Sequence, residues 1–218
     1  MHGVIAGEQM NAMDVFRSDF PEDYLKMLAA GLRDCYRNAN LLVHEAYVTP
    51  EIRQNTYPWL RRGLIEDMMM ATAAQFGESI SAAQVDSGHF WWHSELRAGR
   101  IVLTQCASSG EDAPVRQAQY KNELAKKTQR LLFPEVNDPP NQGIIYATLL
   151  HNKAAGSDQH VGYAQIRFPK PGLTSFYEGG VDLLVQFPDV FEQFELKEEV
   201  IEDSAIPKRI QRRKASGE

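Results

Sequence analysis

The stretch Gly88-His-Phe-Trp-Trp-His-Ser-Glu-Leu-Arg-Ala-Gly-Arg-Ile-Val-Leu-Thr-Gln105 decides the fold class of this 218-residue chain. Aromatic and β-branched residues fill His89 to Leu96 and Ile101 to Ala107, and Arg97-Ala-Gly-Arg100 between them places a glycine where a bulged turn needs a left-handed residue. The spacing predicts a β-hairpin. Alternate side chains of a strand share a face, so His89, Trp91, His93 and Glu95 fall on one side and Phe90, Trp92, Ser94 and Leu96 on the other. His89 and His93 have the spacing of a helical zinc pair. In a strand they stand roughly 13 Å apart at ~3.3 Å per residue, too far to share one ion, and the glutamate that follows the first histidine in helical metalloprotease sites is missing. No metal is expected here. The stripe reads either as a contact face for a protein or a stacked base, or as the rim of the core with Trp91 inside.

Outward from the hairpin, the pattern divides into helices before it and further strands after it. Residues 1–17 are expected to be a flexible lead-in. Ser18-Asp-Phe-Pro21 offers a cap and a first-turn proline, followed by Leu25, Leu28, Leu32, Cys35, Ala39 and Leu42 at helical spacing to about Tyr47. A second helix is expected from Pro58, capped by Asn55 or Thr56, to Gly77, because proline disrupts a helix interior. On it, Arg61, Arg62, Glu66 and Asp67 read as solvated ion pairs one turn apart. A strand from Ile80 to Val85 precedes the hairpin. After it come a helix from Pro114 to about Phe133 and strands over Ile144–His151, Val161–Phe168 and Val181–Phe187. Residues 190–201 fit a strand or a helix. The expected fold is α+β, a single domain over 18–206 with a mixed or antiparallel central sheet of about six strands, two N-terminal helices and one mid-chain helix. Residues 207–218 read as a basic flexible tail.

Composition narrows the function classes. A hydrophobic fraction of 43% and a charged fraction of 24% suit an ordinary globular chain. Cys35 and Cys106 sit inside apolar patterns, which suits reduced thiols in the cytoplasm and excludes a cysteine-based zinc site. No apolar run approaches the roughly 20 residues of a membrane span, and Glu8, Asp14 and Asp19 occupy the region where a secretory signal would be basic and then apolar. A soluble protein without a membrane partner is expected. The net charge of −6 argues against phosphate binding by the surface as a whole. The C-terminus is the exception: Lys208, Arg209, Arg212, Arg213 and Lys214 cluster behind an acidic run, suited to gripping phosphates or an acidic partner, or to folding back on that run. His151 and His160 flank a polar loop that reads as a hairpin connection or a binding loop. Nucleophile-elbow, phosphate-loop, dinucleotide and C-x-x-C motifs are all absent.

One further pattern carries chemistry. Val181-Asp182-Leu-Leu-Val, followed by Phe194-Glu195-Leu-Lys197, resembles the core motif of the PD-(D/E)XK nuclease superfamily. The resemblance implies Asp182 and Glu195 as ligands of Mg or Mn, Lys197 as the residue that orients or activates water, and Glu66 as an accessory acid. A second placement of the same fold runs from the Pro58 helix through the strands at 80, 89 and 101 to the Pro114 helix and the Ile144 strand. There Thr104-Gln-Cys106 occupies the ExK position without its acid or lysine, which implies a nuclease-like fold lacking nuclease chemistry. The leading expectation is a non-catalytic interaction protein, a regulatory or defence-associated accessory factor without cofactor. It would bind protein or nucleic acid through His89, Trp91, His93, Glu95 and the basic tail. The alternative is a metal-dependent nuclease using Asp182, Glu195 and Lys197.

Overall fold

The computed structural model describes residues 11–86, 92–110, 113–132 and 143–192. Helix α1 (Ala12–Asp19) begins where the Asn11 side chain accepts the Met13 N–H, satisfying a donor that the first turn leaves free. Phe16 is fully buried and stacks on Phe20, with ring centroids 4.9 Å apart. Ala12, Met13, Val15 and Phe16, expected in the lead-in, are therefore part of the core. Burying one such ring contributes about 2 kcal/mol.

Helix α2 (Glu22–Ala46) follows Pro21, which takes the capping position just before the first turn instead of a place inside it. Leu25, Leu28, Leu32, Cys35 and Ala39 face inward as their spacing predicts, but Val43 replaces Leu42 on the inner side. Helix α3 (Pro50–Ala74) corrects the expectation of a break at Pro58, which stands inside it. Two circumstances allow this. Pro58 and Gln54 are both exposed, so the carbonyl left without its helical donor faces water. On the opposite side Tyr57, Arg61, Ile65, Met69 and Ala73 recur every four residues and are buried, and their burial offsets the lost bond. A proline at the first helical turn, Pro50, sets the true start.

The sheet has six strands in sequence order: β1 (Ser81–Asp86), β2 (Trp92–Ala98), β3 (Ile101–Ala107), β4 (Ile145–Lys153), β5 (Val161–Arg167) and β6 (Val181–Asp182). Neighbours are antiparallel except β3 and β4, which run parallel. Parallel strands need a long crossover, and helix α4 (Gln119–Leu132) supplies it. It starts five residues later than the expectation from Pro114. The hairpin between β2 and β3 closes on Gly99 and Arg100, with Gly99 at φ +50°, as its sequence predicts.

The expected strand over Val181–Phe187 shrinks to two residues and gives way to helices α5 (Leu183–Gln186) and α6 (Pro188–Glu192). Asp182 caps α5, accepting from the N–H groups of Leu184 and Val185, and a capped turn outcompetes strand pairing at this sheet edge. Residues 190–192 are helical; the rest of the ambiguous 190–201 segment lies outside the described residues.

Alternation along β3 and β4 splits the core. Ile101, Leu103, Ile145, Ala147 and Leu149 pack with α1, α2 and α3, while Val102, Cys106, Tyr146 and Leu150 pack with Leu124 and Ala125 of α4. The fold is α+β with a mixed six-stranded sheet. No helix among the described residues is long and apolar enough to cross a membrane.

Candidate functional site

The strand parity that places Ile101 and Leu103 under α2 and α3 also places Gln105 there, and on β4 it places His151 beyond Leu149. These two are polar where the layer is otherwise apolar. Burial removes them from water, so each must find partners inside. Tyr36 of α2 and Glu66 of α3 provide them: the Tyr36 hydroxyl is 2.8 Å from His151 Nδ1, His151 Nε2 is 3.0 Å from Gln105 Oε1, and Gln105 Nε2 is 2.6 Å from Glu66 Oε1. The second Glu66 oxygen accepts the Ser94 N–H at 2.6 Å.

The Glu66 oxygen accepts the Gln105 amide proton, and this fixes every link. Gln105 must turn its amide N–H towards Glu66 and its oxygen towards His151. His151 then donates from Nε2 and accepts the Tyr36 proton at Nδ1. The result is one directed chain, Tyr36 to His151 to Gln105 to Glu66, tying α2, β4, β3 and α3 together. His151 is neutral within it, its pKa pushed down to about 3 by burial first and then by the charges of Arg61 and Lys121. Burial also pushes the Tyr36 phenol well above its ordinary range.

On the opposite face, His93 stacks on Tyr120 at the start of α4, with centroids 3.7 Å apart and planes 18° from parallel. Its Nε2 lies 3.3 Å from Glu95 Oε1, and Arg97 donates to the other Glu95 oxygen at 2.9 Å. The bond from His93, joined by Arg97, holds the Glu95 carboxyl below its usual range against the opposing effect of burial.

Several residues singled out in the sequence stand elsewhere than expected. His93 and Glu95 do share a strand face, yet both are buried, His93 against the Tyr120 ring, so they form no exposed stripe. His89 and Trp91 lie outside the described residues, as do Glu195, Lys197, Lys208, Arg209, Arg212, Arg213 and Lys214. Asp182 is described, and its carboxylate is occupied by the α5 cap and by Gln165 Nε2 at 3.0 Å. His160 of the β4–β5 loop is exposed and bonded to Ser157, whereas His151 is interior.

The solvated pairs expected on α3 are corrected too. Arg62 does sit 3.9 Å from Glu66, but Glu66 and Arg61 are both buried. Arg61 lies over the rings of Tyr36 and Tyr57, 4.7 and 5.1 Å from their centroids. The sequence held a usable signal, since Tyr57, Arg61, Ile65, Met69 and Ala73 follow one another at intervals of four, a single helix stripe.

A second feature escaped the sequence reading. The end of the α2–α3 hairpin exposes Leu41, Leu42, Tyr47, Val48, Ile52 and Trp59, with Val48 at 83% and Trp59 at 54%. Arg53 Nε donates to the Tyr47 carbonyl and steadies the connection. Arg62, one turn beyond Trp59, donates to the Trp92 carbonyl at 3.1 Å and brings a second exposed tryptophan alongside α3.

No family model, curated protein or solved structure matches this chain.

Proposed function

We propose that this is an intracellular, non-catalytic interaction protein that engages a protein partner through the apolar end of its α2–α3 hairpin. One observation carries the reading. Of the eight large hydrophobic side chains exposed among the described residues, six belong to that one hairpin end, and such concentration marks a contact surface where scattered residues would mark nothing. Tryptophan and tyrosine supply large contact area at little entropic cost, which makes Trp59, Tyr47 and the neighbouring Trp92 the natural anchors.

The polar chain favours the same conclusion. The elements α3, β1, β2, β3, α4 and β4 follow the order of the second nuclease-like placement, with Thr104 at the acid's position, Cys106 at the lysine's and, between them, Gln105. Its amide binds Glu66 and His151 to each other, a structural employment. The scaffold is thus read as nuclease-like without nuclease chemistry.

Quantitative affinity capture from cell extract tests the binding reading. Wild-type protein should retain a defined protein partner, and a folded Ile52→Ser/Trp59→Ala variant should lose it. Retention by that variant, with loss on neutralising the 208–214 cations, would move the interface to the tail. The catalytic alternative is tested by incubating wild type, Glu66→Gln and Asp182→Ala with DNA and RNA in Mg²⁺ or Mn²⁺. No cleavage is expected, and cleavage abolished by either substitution would establish an enzyme.

A further inference from the structure

The sheet ends differently at its two sides. β6 is two residues long and gives way at once to the capped turn of α5, so that edge offers almost no backbone to another chain. β1 is six residues long and stands at the other end of the strand order, hydrogen-bonded on one side only among the described residues. Its pairing with β2 runs through all six positions without a register shift, so no bulge turns the outer edge away. Lysine and proline, which commonly blunt such edges, are absent from Ser81-Ala-Ala-Gln-Val-Asp86. Ser81, Ala83, Gln84 and Asp86 are exposed, and Ala82 and Val85 are half-buried.

The outward N–H and C=O groups of a strand are matched in full only by another extended backbone, so the occupant of this edge is a strand. A second copy of β1 fits it. Two identical edges pair antiparallel about a two-fold axis perpendicular to the sheet, and that axis keeps each face on its own side. Opposed residues must then share a face, which alternate residues of β1 do. Centred on Ala83, the pairing sets Ala83 against Ala83, Ala82 against Gln84 and Ser81 against Val85. Small or neutral side chains meet at each of these positions. The one charged residue of β1, Asp86, falls beyond the paired run. Its two copies then stand roughly 20 Å apart at ~3.4 Å per residue, further than the screening length of about 8 Å at physiological salt. A centre at Gln84 would instead draw Asp86 into the run, opposite Ala82.

We propose that the outer edge of β1 is a self-association surface, pairing antiparallel with β1 of a second copy about a two-fold axis at Ala83 and joining two sheets into one. It uses none of the side chains at the end of the α2–α3 hairpin, so the two surfaces stand or fall separately.

Sedimentation velocity of the full chain from about 1 to about 500 μM tests this, a range suited to an interface below standard size. The wild type should pass from monomer to dimer. Ala83→Lys and Ala83→Glu each set like charges against one another on the axis and should weaken dimerisation at least tenfold. Their equimolar mixture should dimerise again through opposite charges, which only pairing of this position with itself explains. Ala83 is exposed, so both variants should keep the wild-type unfolding midpoint. Ile52→Ser/Trp59→Ala should dimerise as the wild type does. In the wild type alone, amide hydrogen exchange in β1 should slow as concentration rises. A monomer at every concentration overturns the proposal, and so do β1 exchange rates that ignore concentration. Dimerisation unchanged by either charge at position 83, or a mixture that stays monomeric, also overturns it. Dimer lost only in Ile52→Ser/Trp59→Ala would move self-association to the hairpin end and overturn it likewise.

Discussion

Gln105 shows how much one side chain can decide. Its amide is the only group in the directed chain that donates to a carboxylate and accepts from an imidazole at once. Replacing it by glutamate keeps the shape but sets two buried carboxylates 2.6 Å apart. Gln105→Glu should therefore destabilise the fold by about 3 kcal/mol or more at neutral pH, read from the midpoint of urea unfolding, with part of the loss recovered as acid protonates one of the pair. His151 gives a second expectation. Its folded pKa, near 3, lies below its ordinary value of 6.5, so between those limits the unfolded chain binds the extra proton. Stability should fall as pH drops below about 6.5, with a slope approaching about 1.4 kcal/mol per pH unit. His151→Gln should be less stable at pH 7 and should flatten that slope; an unaltered slope in denaturation curves would assign the pH dependence to other groups.

Elements in this chain are set by their ends as much as by their interiors. The β2–β3 hairpin turns on Gly99, whose φ is +50° and whose missing Cβ leaves room for Asp19: a methyl group there would meet Asp19 Oδ2 at 2.3 Å. The same oxygen accepts the Arg100 N–H. Gly99→Ala should cost about 1–3 kcal/mol, visible as a lowered midpoint with an unchanged slope in urea. Asp182 illustrates the opposite terminus. Its carboxylate stops β6 and starts α5, so Asp182→Ala should cost about 1 kcal/mol through the lost cap, a stability effect that would be measured whether or not any nucleic acid is present. Pro58 shows that a strong local signal can lose. Its penalty of about 3 kcal/mol in a helix interior is outweighed where one side is wet and the other buries a four-residue repeat of large side chains.

Across the whole molecule, the sheet was legible because period-two patterns and turn residues are local signals. β1, β2, β3, β4 and β5 fall close to where those patterns place them, and the helical crossover between β3 and β4 follows from the patterned helix between two strands. The site was less legible, because its residues come from α2, α3, β3 and β4, and no local pattern says which of several polar side chains will meet. Arg61 and Glu66 looked like surface charges for that reason. Exposure at the hairpin end is likewise a tertiary fact: Leu42 matches the apolar period of α2, but nothing covers it at that end. Substituting Ile52 and Trp59 should thus change unfolding free energy by only about 0.5 kcal/mol each while removing partner capture, a separation that a buried pair would not show.

By itself the sequence determined the α+β class, the strand sequence from Ser81 onwards, the glycine turn at Gly99 and the buried thiols, since each depends on neighbours a few residues away. Only the tertiary structure decided that Tyr36, Glu66, Gln105 and His151 form one directed chain, that Arg61 lies over the rings of Tyr36 and Tyr57, and that one end of a helical hairpin stays apolar and exposed. Those outcomes depend on which elements pack together, and packing joins residues whose separation along the chain carries no signal of their meeting.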